Sequence, residues 1–158
     1  MTGRILSVLV AALAIVLATL AAPAHADAMR YEVRVDGLAC PFCAYGLERK
    51  LRELPGVSTV EVELRTGTAR FEVAEGRVVT PAAVRSAVGE AGFSVGEIRL
   101  RVSGELRREG DRWWLLVGDD LRIEVRGTTP TAPGRSTVSG VVRRQGDHEV
   151  LTASRQGR

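Results

Sequence analysis

The stretch "DGLACPFCAYGLERKL", residues 36–51, decides how the rest of the chain is read. It holds the only two cysteines, Cys40 and Cys43, three positions apart. Ahead of it, Tyr31, Val33 and Val35 alternate with charged residues, the two-residue period of a half-buried strand. Behind it, Ala44, Leu47, Leu51 and Leu54 recur at three- and four-residue steps, which places them on one helix face. Pro55-Gly56 ends that helix. The cysteines therefore sit where a strand gives way to a helix. Unpaired backbone amides and the positive end of the helix dipole stabilise a thiolate at such a junction. Two thiolates in one turn can close on a single ion, and thiolates favour soft ions. A redox-active dithiol and a plain local disulfide are the other uses open to the pair. As a staple it is weak, because closing so short a loop removes little entropy from the unfolded chain.

The pattern continues in the same style. "VSTVEVELRTGTARFEVAEG" reads as a hairpin, with Val60, Val62 and Leu64 on one face of the first strand. Ala69, Phe71 and Val73 occupy the same face of the second, and Thr66-Gly67 forms the turn. Thr80-Pro81 is a helix start, a capping hydroxyl followed by a proline at the first position. Val84, Ala87, Val88 and Ala91 give that helix its apolar stripe, and Gly92 stops it. Ile98, Leu100 and Val102 share a face of a closing strand. The order βαββαβ predicts a ferredoxin-like α+β domain, an antiparallel sheet with both helices on one side.

"GLACPFCAYGLERKL" resembles the signature of heavy-metal-associated domains, Gly-Met-x-Cys-x-x-Cys followed by a helix. The similarity extends from about Arg30 to Val102 and takes in Pro55-Gly56-Val57 and the "AGF" that closes the second helix. The resemblance implies the βαββαβ fold and a soft metal ion, Cu(I) or Hg(II) with Zn(II) as a third candidate, held by Cys40 and Cys43. It also implies a membrane metal transporter or another donor or acceptor protein as partner. Phe93 matches the family's aromatic or charged position near the site. Leu38 stands where the family carries a methionine that packs beneath the loop. Pro41-Phe42 is similar to the centre of a glutaredoxin-like Cys-Pro-Tyr-Cys, which keeps thiol-disulfide exchange as the alternative function. Against it, only about thirteen residues of the expected mature chain precede Cys40.

The first 26 residues read as a secretory signal peptide: Arg4, an apolar run from Ile5 to about Ala22, and the small residues of Ala24-His25-Ala26. The expected mature chain begins at Asp27 and is periplasmic or secreted; a retained membrane anchor is the other reading. The whole chain carries a formal charge of +3. Its arginines alternate with apolar residues instead of clustering, so no nucleic-acid partner is expected. Nucleophile-base sets, phosphate loops and paired catalytic carboxylates are missing from the sequence, and an enzyme is not expected.

The remaining segments divide as 27–103, the metal-binding domain, and 104–158, a small all-β, barrel-like domain. The second contains a repeat: "VSGELRREGDRWWLL" from Val102 and "VSGVVRRQGDHEVLT" from Val138 share Val, Ser, Gly, two arginines, Gly and Asp. Each copy reads as a hairpin with a tight turn at Gly110-Asp111 or Gly146-Asp147. "DDLRIEVRG" supplies one more strand after a turn at Gly118-Asp119, and "TTPTAPGRS" a loop. Of Trp113 and Trp114, one is expected in the core and its neighbour exposed or at an interface. His148, the one histidine of the expected mature chain, reads as an exposed turn residue. An adaptor role for this β-domain is a further alternative function.

Overall fold

The structure, a computed structural model, describes residues 28–127 and 132–154. The expected signal segment and Asp27 lie outside the described residues, as does part of the Pro/Gly/Thr loop.

The elements in order are β1 (Met29–Asp36), α1 (Pro41–Arg52), β2 (Val57–Glu63), β3 (Thr68–Val73), α2 (Pro81–Glu90), β4 (Ser94–Glu109), β5 (Arg112–Val117), β6 (Leu121–Arg126), β7 (Gly134–Gln145) and β8 (His148–Ala153). Strands β2-β3-β1-β4 lie side by side in that order, all antiparallel, with α1 and α2 packed on the sheet. That is the ferredoxin-like arrangement the periodicities predicted. Cys40 caps α1 and Thr80 caps α2, each followed by a proline at the first helical position. The basic residues Arg49, Lys50 and Arg52 in the last turn of α1 complement the helix dipole. One expectation fails at the hairpin. Leu64 does not continue the buried face of β2; the strand ends at Glu63 and Leu64 is exposed in the turn.

β4 is sixteen residues long and joins the two halves of one continuous sheet. Its first half pairs with β1 and its last residues with β5, while β7 runs along its other side from Ile98 to Leu106. From β4 the pairings pass through β5, β6, β8 and β7 and return to β4, a ring of five strands. The expected division between residues 103 and 104 falls inside β4. Apolar side chains from both halves form one cluster, from Leu47, Leu51 and Phe71 through Leu100 and Val102 to Leu106, Leu115, Ile123 and Leu151. Arg85 of α2 adds a forked ion pair to Glu149 of β8, at 2.6 and 3.1 Å. The buried Tyr31 hydroxyl donates to the Val79 carbonyl at 2.5 Å, and its ring stacks on Phe71. Burial, and then the nearby Glu149 carboxylate, push the Tyr31 hydroxyl far above its ordinary pKa.

The repeat has a structural meaning. Val102 of β4 pairs directly with Val138 of β7, its own counterpart in the second copy. The hairpins β4–β5 and β7–β8 keep the same internal register: Glu105 faces Leu116 as Val141 faces Thr152. Both turns begin with a glycine at positive φ, Gly110 and Gly146. Arg108 and Arg144, equivalent again, each donate from Nε to the carbonyl of that glycine. The two copies are thus related by a local two-fold axis through the Val102–Val138 pair. β5 and β8 run antiparallel to each other, so a strand between them must be parallel to one. β6 follows β5 through a tight turn and is antiparallel to it, which makes its pairing with β8 parallel.

Candidate metal centre

The site is built on the connection from β1 to α1. Gly37 takes a positive φ of 85° as the chain leaves β1. Leu38 then turns inward and is buried in the core cluster, so leucine performs the packing that the methionine of the signature would. With the loop pinned there, Cys40 becomes the N-cap of α1. Its Sγ accepts the Cys43 backbone N–H at 3.1 Å, and its carbonyl accepts the N–H of Ala44 at 3.1 Å. Both cysteines are half-buried, and Cys43, on the first turn, packs against the core.

The two sulfurs are joined as a disulfide, with the Cα atoms 5.1 Å apart. This is the oxidised state of the pair. Two electrons and two protons convert it to two thiols, and an incoming ion displaces those protons. The donor set is sulfur only. Among the described residues no group of three or more His, Cys, Asp or Glu is placed to hold a metal. An ion held by these two sulfurs would have two soft donors, a set whose chemistry fits a soft ion.

Two aromatic residues flank the sulfurs in a way the sequence did not reveal. Phe42, between the two cysteines, is 90% exposed, and Tyr45, two residues after Cys43 on α1, is 69% exposed. An apolar residue between two cysteines gives no signal of its direction before the helix phase is known. Phe93 is half-buried against the core in the turn just before β4, its N–H bonded to the Val88 carbonyl. The described residues contain no helix long and apolar enough to cross a membrane.

The other singled-out residues fall in the β-ring. Trp113 packs against the common core, as expected of one member of the pair. Trp114 is not left exposed as the alternation suggested: the Arg122 guanidinium lies 4.0 Å over its ring, and the His148 ring is 5.5 Å away. His148 is likewise no free turn residue. It opens β8, with Nε2 2.9 Å from the buried Glu124 and Nδ1 3.0 Å from Asp147. Asp147 first, then Glu124, raise its pKa. Arg126 first, with help from His148, lowers that of Glu124. A raised folded-state value means that the His148 contribution is fully present below the unfolded pKa of about 6.5 and is lost as pH climbs through the folded value. The denaturation midpoint of the protein should therefore exceed that of His148→Gln by more at pH 5.5 than at pH 8.5. An equal gap at both pH values would show that protonation of His148 does not stabilise the fold.

Comparison with known proteins identifies the family of the segment that carries the two cysteines. The heavy-metal-associated domain family matches residues 32–94. The copper chaperone CopZ of Staphylococcus saprophyticus is 32% identical over 63 residues, which are 40% of this chain and 91% of that protein. Copper-transporting ATPase 1 of Rhizobium meliloti is 32% identical over 104 residues, 65% of this chain but 12% of the ATPase. Among solved structures, a putative copper-ion-binding protein from Bacillus anthracis superposes with a TM-score of 0.40 at 30% identity, covering 44% of this chain and 99% of that one. The chain belongs to the heavy-metal-associated domain family.

Proposed function

We propose that the reduced protein binds one Cu(I) ion through Cys40 and Cys43 and passes it to, or takes it from, a partner protein by thiolate exchange. The observation that carries this reading is the convergence of both sulfurs at the open start of α1, one on the cap and one on the first turn. Two ligands leave positions on the ion free, so a partner's thiolate can enter before either cysteine leaves. Copper is favoured over Hg(II) and Zn(II) because relatives across the matched segment are named as a copper chaperone and copper-transporting ATPases. A domain of such a transporter is the kind of partner proposed, and the exposed Phe42 and Tyr45 are placed to be covered when it docks. Delivery takes place outside the cytoplasm if the N-terminal segment directs export, and no catalysis is assigned to the chain.

A second reading, thiol-disulfide exchange, is favoured by one feature: the two sulfurs are joined as a disulfide here, with the Cys43 N–H bonded to Cys40 Sγ. One experiment separates the two. Cu(I) is titrated anaerobically into the reduced and the oxidised protein against a chromogenic Cu(I) chelator, and the potential of the cysteine pair is measured on the same sample. One ion bound tightly by the reduced form and none by the oxidised form is the expected result. A reduced form that leaves all the copper on the chelator, combined with rapid exchange with glutathione disulfide, would replace the metal reading with the redox one.

A further inference from the structure

The helix-free face of the sheet β2-β3-β1-β4 is not flat. β7 and the residue after β8 rise along its far side, turning it into an open groove of about 780 Å³. The register places its charged side chains in rows. One row runs Glu61, Arg70, Glu32, Arg99 across β2, β3, β1 and β4, alternating in sign. The next runs Glu72, Arg30, Arg101, Ser139 across β3, β1, β4 and β7. Here two arginines stand directly opposite each other, an arrangement that costs stability unless something neutral or negative intervenes.

The neighbouring carboxylates are already engaged. Glu72 holds Arg30 at 2.7 Å, and Glu32 is shared by Arg70 at 3.0 Å and Arg99 at 3.7 Å. Arg101 has no hydrogen-bond or ion-pair partner among the described residues. The row beyond it brings hydroxyls, Ser103 and Thr137, which bond each other at 2.6 Å. The groove therefore contains one guanidinium without a partner facing another that Glu72 holds, with hydroxyl groups in the next row; the one unpaired acid of its lining, Glu61, lies three strands away on β2.

We propose that this groove binds a small molecule through an oxyanion group, carboxylate or phosphate, seated between Arg101 and Arg30. A guanidinium presents paired N–H donors that match two oxygens of such a group, and the aliphatic stems of the arginines supply apolar walls. The hairpin β7–β8 creates the site by walling a face that would otherwise be flat, which gives the appended strands a binding role separate from the cysteines.

The test uses the full chain with the cysteines oxidised, so that no metal is held. Phosphate and succinate are titrated separately at constant ionic strength in chloride, and the Nε–H resonances of the arginines are followed. Saturable one-to-one shifts centred on Arg101 and Arg30 are expected with at least one of the two probes, and the probe that saturates identifies the oxyanion. Arg101→Gln should weaken binding by about tenfold or more, the loss expected for a charged hydrogen bond, and Arg101→Lys by less. Arg143→Gln, outside the groove, should leave it unchanged, and Cu(I) uptake by reduced Arg101→Gln should equal that of the unsubstituted protein. Shifts that stay linear with both probes, or an equal loss in Arg143→Gln, would overturn the proposal while leaving the copper reading intact.

Discussion

Reduced protein carrying Cys40→Ser loses Cu(I) affinity by a factor of about 10²–10⁴, the advantage that a second, linked donor confers over a single one. Its thermal stability hardly changes, because serine is itself a strong N-cap and can accept the same amide bond from Cys43. Cys43→Ser loses a similar factor but also places a hydroxyl against the core, so its melting temperature falls as well. Phe93→Ala, by contrast, keeps a stoichiometry of one ion and alters only how fast the ion exchanges. Anaerobic competition against a Cu(I) chelator, paired with thermal melts, reads all four quantities. Either cysteine variant retaining affinity within a few fold of the unsubstituted protein would mean that the two sulfurs do not act as a chelate.

The second large effect is on the fold. Gly140→Ala should destabilise the protein by about 3 kcal/mol, at the upper end for overpacking, and lower the melting temperature by roughly 10 °C. A Cβ at Gly140 would be driven into the carbonyl of Thr152 on the adjacent strand, and one at Gly104 into the carbonyl of Leu116. Both obstacles are backbone, which cannot swing aside as a side chain can. These glycines occupy equivalent places in the two repeat copies, so Gly104→Ala should behave alike. Gly89→Ala provides the contrast: it lies on α2 with nothing within 4 Å of the new carbon, and should raise stability by about 0.5–1 kcal/mol. Calorimetric melts that rank the three variants in any other order would show that the close strand approach is not what requires glycine.

Periodicity made the first half of the fold readable. Val33, Phe71 and Ile98 repeat every second residue, Leu47, Leu51, Val84 and Val88 follow a helical step, and Thr80-Pro81 announces its helix. The Gly-Asp pairs gave both hairpin turns. Other features had no local signal. The division expected between residues 103 and 104 falls inside β4, where Gly104 lies mid-strand with another strand's backbone close against it. The parallel pairing of β6 with β8 follows from the symmetry of two segments 36 residues apart, which no window of local sequence contains. Glu124 alternates like a solvent-facing residue but is buried by Arg126 and His148 arriving from either side. At the site itself, the cysteine spacing named the two sulfurs. Their oxidation state depends on chemistry outside the sequence, and the outward turn of Phe42 and Tyr45 depends on the phase of α1.

The long pairing of β7 with β4 also determines how the molecule meets its neighbours. In a four-stranded sheet of order β2-β3-β1-β4, the last strand would offer a row of unpaired amides and carbonyls to any extended chain nearby, a template for aggregation. Here that row is occupied from Ile98 to Leu106 by the protein's own chain, and the ring formed by the following strands returns to β4. The border left on the other side is β2, where the register slips between Val57 and Thr59 and where Glu61 and Glu63 carry charge. Irregularity and charge both discourage strand addition. The sheet is thereby kept from pairing with copies of itself, and on the proposed reading contact is left to the end of the molecule that carries the two sulfurs and the exposed Phe42 and Tyr45.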